Sequence, residues 1–208
     1  MFVPRRMLTA CIVMVIVLML GGTSVFAKGH DDATPVNGTS SGTSTLTNPS
    51  TCNPPSGNPA FLICNFDVTG TYSGTPIGSG TYSGHVTLDY HSYTATNPCA
   101  TATGTITFTN AHGDQLVTTL GPGSQVCETA VATVHSEHLV LKIMSGTGLF
   151  KHASGTIVSN GTTTDTGPGT HADSATLTGS ITLHGHHGKG NDDGGDDDNG
   201  GNHDGGND

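Results

Sequence analysis

From residue 61 onward, apolar and polar positions alternate along the chain. Phe66 and Val68, then Val86, Leu88 and Tyr90, then Ile106 and Phe108 are each separated by a polar or small residue. A period of two belongs to a strand with one face buried and the other in water. The same reading predicts further strands over 115–120, 127–134, 138–144, 154–159 and 175–183, with Gly, Pro, Asn or Asp clusters between most of them. About eight strands result, enough to close a sheet on itself. A closed barrel and a two-sheet sandwich both fit this spacing, and periodicity alone does not choose between them.

Composition supports the all-β reading. The 208 residues include 31 glycines and no tryptophan, and only 33% are hydrophobic. Glycine costs a helix about 1 kcal/mol, whereas the abundant β-branched threonines suit a pleated surface. The formal charge of −10, from 6 Lys+Arg against 16 Asp+Glu, repels a phosphate backbone, so no nucleic-acid partner is expected.

The first 27 residues read as a secretory signal peptide. Arg5 and Arg6 precede an apolar run over 7–20, and Val25-Phe26-Ala27 places small residues where cleavage after Ala27 requires them. An uncleaved anchor is the competing reading, but Gly, Thr and Ser break the C-terminal part of the run. Leu8-Thr9-Ala10-Cys11 has the form of a lipobox, yet its cysteine precedes the apolar run instead of following it. The expected location is therefore extracellular, with no membrane attachment after cleavage.

Export leaves Cys52, Cys64, Cys99 and Cys127, an even number in an oxidising compartment, for which three complete pairings exist. Cys52 with Cys64 and Cys99 with Cys127 is favoured, because the second pair brackets a hairpin turning near residues 110–114 and so lies level across a ladder. No C-x-x-C spacing favours zinc instead.

Residues 28–60, with NGTSSGTSTLTNPS and then CNPPSGNP, are too polar and too rich in Pro, Gly and Ser to contribute a core, and are expected to form a disordered linker before a barrel over 61–183. Gly38-Thr39-Ser40-Ser41-Gly42 matches G-x-S-x-G, but a nucleophile elbow needs a preceding strand and a following helix, and neither is predicted. GTYSG occurs at 70–74 and 80–84, two copies where a solenoid needs three or more.

The segment GTGLFKHASGT at 146–156 resembles the G-T-G-x-[FY]-x-x-A-x-G signature of the allene oxide cyclase and dirigent barrel superfamily, with a looser echo in GSGTYSG at 78–84. The resemblance extends over about residues 61–183. It implies a closed antiparallel β-barrel in which 146–156 joins consecutive strands. It further implies a mouth that binds an apolar small molecule, and in the enzymes and dirigent proteins steers a cyclisation or coupling. No pocket acid of that superfamily maps onto a position here, so no catalytic residue is assigned. Phe150 and Ala153 would plug one barrel end with a large and a small group.

Several polar constellations are candidates for chemistry. If Val86, Leu88 and Tyr90 face inward, parity puts His85, Thr87, Asp89 and His91 on the opposite face, where a metal-binding or proton-transferring trio competes with an ordinary solvated surface. The solvated surface is the expectation. His135-Ser136-Glu137-His138 is read as a polar turn between strands, since H-E-x-x-H zinc chemistry needs helical spacing. Tyr72, Tyr82, Tyr90 and Tyr93 are suited either to a ligand mouth or to barrel core and rim.

The tail over 184–208, HGHHGKGNDDGGDDDNGGNHDGGND, contains four His and seven Asp among glycines and is expected to be disordered. His184, His186, His187 and His203 would capture a divalent metal, against the plainer reading of a solubilising acidic tail. Neither a β-roll repeat nor an EF-hand register fits it.

Together these readings point to a secreted, disulfide-bonded, non-catalytic β-barrel that binds an apolar small molecule or an extracellular surface partner. No feature assigns an oligomeric state. One alternative is an enzyme steering cyclisation, for which Asp89, Glu128 and Glu137 are the first acids to inspect in an apolar mouth. The other is metal sequestration by the tail.

Overall fold

The computed structural model of the protein describes residues 32–52 and 62–184. The expected signal peptide and nearly all of the tail lie outside these residues. Within them, nine antiparallel strands follow one another: β1 (Thr34–Leu46), β2 (Ile63–Thr75), β3 (Gly78–Asp89), β4 (Cys99–Asn110), β5 (Gln115–Leu120), β6 (Gln125–Glu128), β7 (Val134–Gly146), β8 (Ser154–Gly167) and β9 (Thr170–Thr182).

Antiparallel pairing runs in the order β3-β2-β1-β9-β8-β7-β5-β4, and pairing of β3 with β4 closes the ring. The result is an eight-strand up-and-down barrel, the closed alternative of the two that periodicity allowed. Closure removes the exposed edges that a sandwich would have to protect. The ninth strand, β6, stands outside that ring order: it pairs with β4 and β7, the same two neighbours as β5, and continues the position of β5 beyond the turn at 121–124.

Alternation dictates what lies inside. On β4, Ala100, Ala102, Ile106 and Phe108 point inward, while the intervening threonines at 101, 103 and 105 face solvent. The outer face of β1 is likewise mainly threonine and serine, at 39, 41, 43 and 45, which explains how so weakly hydrophobic a chain makes a barrel: only one face needs apolar groups.

The expected linker is corrected by β1. Residues 34–46 are a full barrel strand, paired along both edges with β2 and β9. Its inward residues are Val36, Gly38, Ser40, Gly42, Ser44 and Leu46, so small groups occupy positions where a hydrophobic signal is normally read. The barrel accordingly begins at Thr34, not at 61, and G-x-S-x-G lies within continuous strand, with no elbow. Two other expectations also shift. The predicted strand over 127–134 covers the end of β6 and a turn, and 135–138, expected as a turn, is the opening of β7.

One end of the barrel is closed. Gly148–Phe150 forms a single 3₁₀ turn within the 146–156 segment, which connects β7 to β8. Phe150 is fully buried there and Ala153 nearly so, as the large-and-small plug predicts. Ile77, Leu116, Ile143, Ile157, Ile181 and the edge-on pair Tyr72–Phe108 complete this apolar end. Both favoured disulfides form, Cys52–Cys64 and Cys99–Cys127, and the second joins residues that are direct register partners across β4 and β6.

Candidate functional site

At the opposite end the interior is not filled. A cavity of about 140 Å³ extends from the middle of the barrel to its mouth. Its wall has two unlike arcs. Phe66 and Val68 of β2, Val86 and Leu88 of β3, and Ile106 and Phe108 of β4 make one side apolar. The other side is apolar in its depth, at Leu139 and Leu141 of β7 and Leu177 of β9, and polar nearer the mouth, where it combines Ser44 of β1, Glu137 of β7, Ser159 and Thr163 of β8, and Asp173 of β9. Tyr90 lines the wall below the opening, and Tyr93 and Glu128 stand at the rim.

Strand parity places the acids. Glu137 lies two residues before Leu139 and four before Leu141, on the same inward face, and Asp173 bears the same relation to Ala175 and Leu177. Ser159 donates a hydrogen bond to Glu137 Oε1 at 2.8 Å, Ser44 donates to Asp173 Oδ1 at 3.3 Å, and the Thr163 hydroxyl sits beside both carboxyls. Burial raises the Glu137 pKa to about 6, helped by the neighbouring negative charge of Asp173 and opposed by the Ser159 and Thr163 hydroxyls. Burial likewise raises the Asp173 pKa, against the hydroxyls of Thr163 and Ser44 and the nearby His171.

Tyr82 spans the two arcs. A Cβ at Gly42 would lie 2.3 Å from the Tyr82 hydroxyl, and one at Gly70 would lie 2.6 Å from its ring. Glycine at both positions lets the phenol lie over β1 and β2, within the electrostatic field of Asp173 and Glu137. Burial and those two carboxylates push the phenol pKa well above its ordinary value. The GTYSG pair at 70–74 and 80–84 thereby acquires a local meaning, since Gly70 of the first copy makes room for Tyr82 of the second.

At the mouth, Asp165 bridges two imidazoles, its Oδ1 accepting from His135 Nε2 at 3.2 Å and from His171 Nδ1 at 2.9 Å. The His171 ring also packs edge-on against Phe66, 5.5 Å between centroids. The tyrosines divide between the two roles open to them: Tyr72 is core, Tyr82 and Tyr90 line the cavity, and Tyr93 is rim, its phenol pKa raised chiefly by hydrogen bonding to Glu128. Burial raises Tyr90 to about 12.

Other candidates fall away from the site. His85, Thr87, Asp89 and His91 occupy the outer side of β3 and the loop beyond it, as expected of a solvated face. His85 meets Asp67 of β2 at 2.5 Å, and Asp89 accepts from the backbone N–H of His91 at 2.8 Å, which holds its carboxyl below the usual range. Among the described residues, no group of three or more His, Cys, Asp or Glu is arranged to hold a metal ion. His184 follows β9, whereas His186, His187 and His203 lie outside the described residues.

Of the three acids singled out in the sequence, Glu137 is inside the cavity, Glu128 is at the rim and Asp89 is outside. Asp173 and His171 escaped notice. Carrying the parity of Leu177 and Ala175 back along the strand would have found them. Comparison of the chain with protein families, curated proteins and solved structures finds no match.

Proposed function

We propose that the protein is an exported, non-catalytic barrel that holds a small, largely apolar molecule in its mouth. The observation that carries this reading is the unfilled cavity at one end of a barrel packed solid at the other. Eight-strand barrels have interiors just wide enough either to be filled by side chains or to hold one small ligand, and this one does each in a different half. An apolar cavity of roughly 150 Å³ accommodates one benzene-sized molecule, which sets the scale of the ligand body. The two disulfides accord with the oxidising compartment that the N-terminal pattern specifies. The likeness of 146–156 to the allene oxide cyclase and dirigent signature adds a fold analogy, which does not itself assign an activity.

Titration of the protein with benzyl alcohol, followed by methyl resonances, tests this. Saturable shifts are expected at Leu88, Leu139, Leu141 and Leu177, and they should vanish in Ala175→Leu, which fills the cavity. Shifts that do not saturate, or that persist unchanged in the filled variant, would overturn the reading.

A second reading has its own support. A carboxyl with a pKa near 6 beside a phenol, in an apolar-walled mouth, is placed for proton transfer, which a protein steering a cyclisation would use. Turnover that depends on Glu137 would favour it over simple binding.

A further inference from the structure

The acid pair is short of positive charge. Among the described residues the lysines are Lys142 and Lys151, both exposed and neither lining the cavity, and there is no described arginine. The basic groups that face Glu137 and Asp173 are the imidazoles of His135 and His171, and both already engage Asp165 at the mouth. Hydroxyls of Ser44, Ser159 and Thr163 solvate the carboxyls in part, but they bring no charge. A buried carboxylate without a cation is costly, and proteins retain one chiefly where something else supplies the partner.

We infer that the cavity selects a small amine, its ammonium group held between Glu137 and Asp173 and its apolar body laid against Phe66, Val86 and Leu88. This rests on the cavity being a binding site, as proposed above, and adds the chemical class of the ligand. The two parts of such a molecule match the two arcs of the wall. Tyr82 and Tyr90 add aromatic faces on which a cation is favoured. The Tyr82 hydroxyl lies over Gly42, within the electrostatic field of both carboxyls, and lines the space that the head group would enter. The volume of about 140 Å³ limits the body to one ring or a short branched chain.

Three probes of matched shape separate the possibilities on the full chain at pH 7.5: benzylamine, benzyl alcohol and benzoate. Benzylamine is expected to bind at least about tenfold more tightly than benzyl alcohol, the scale of one charge-assisted hydrogen-bonded contact, with benzoate the weakest. In Glu137→Gln or Asp173→Asn the ratio of benzylamine to benzyl alcohol affinity should fall toward one. The wild-type protein supplies a control that needs no variant. At pH 5, protonation of Glu137, which His135, His171 and Asp173 face across the mouth, makes the site less negative, and the same ratio should shrink.

Equal affinity for amine and alcohol, or a preference for benzoate, would overturn the amine selectivity while leaving the cavity a binding site. Failure of all three probes to bind would remove both. A ratio that stays high in both carboxyl variants and at pH 5 would overturn the role given to the acid pair.

Discussion

At the closed end of the barrel, Ile77, Phe108, Leu116, Phe150, Ile157 and Ile181 interlock with almost no exposed surface; at the mouth the same strands present Ser44, Glu137, Thr163 and Asp173 around open space. The covalent links are distributed the other way. Cys52–Cys64 ties the exit of β1 to the entry of β2, Cys99–Cys127 ties the entry of β4 to the exit of β6, and both lie at the mouth. The two ends divide the labour of the barrel. One half supplies folding energy through apolar burial, and the other gives up packing to hold polar groups around a cavity, with disulfides restraining strands that side-chain contacts hold less well.

Truncating the plug strikes that division hardest. Phe150→Ala should lower unfolding stability by about 3–5 kcal/mol in denaturant titration, because the ring is fully buried and its neighbours are fixed strands. An effect below about 1 kcal/mol, the size of a surface change, would mean that the closed end is not the principal core.

The mouth disulfide should come next. Replacing Cys99 and Cys127 by alanine opens a link between residues 28 apart in sequence, for an expected loss of about 3 kcal/mol. Hydrogen exchange should accelerate in β6 and the early part of β7 more than near Phe150. Uniform acceleration along the whole barrel would deny that the halves differ in local stability.

The smallest effect has the opposite sign. The Glu137 carboxyl titrates at about 6 in the folded protein against 4.5 as its ordinary value, so between these values the folded state binds more protons than the unfolded one. Stability from this group is therefore greatest below about pH 4.5, falls as pH rises toward 6, and is flat above it. At pH 8 the penalty is about 2 kcal/mol by the usual conversion of a pKa shift. Glu137→Gln should consequently raise stability at pH 8 by about 1–2 kcal/mol while reducing amine binding, the trade expected of a site maintained at the cost of the fold. A destabilised Gln variant at pH 8 would show that the carboxylate is well solvated where it stands.

How much of this was legible in the chain varies with what faces inward. Val86, Leu88, Ile106 and Phe108 announced their strands because large apolar groups alternate with threonine. The β1 strand was hidden because its central inward positions are Gly38, Ser40, Gly42 and Ser44, two of them facing the cavity and one lying beneath Tyr82, so alternation is present in geometry but absent in hydropathy. The opening of β7 was concealed for a related reason. His135 and Glu137 occupy inward positions that a packed barrel would give to leucine, so the polar tetrapeptide 135–138 has the pattern of a turn. The residues that misled the pattern are those that make the cavity.

The most direct test is the titration of the Glu137 side-chain carboxyl by NMR in the unliganded protein. A midpoint near 6 is predicted, with desolvation in the mouth and the adjacent Asp173 as its causes. A midpoint at or below 4.5 would place the carboxylate in water and contradict the account of the mouth as a sheltered, charge-deficient binding pocket.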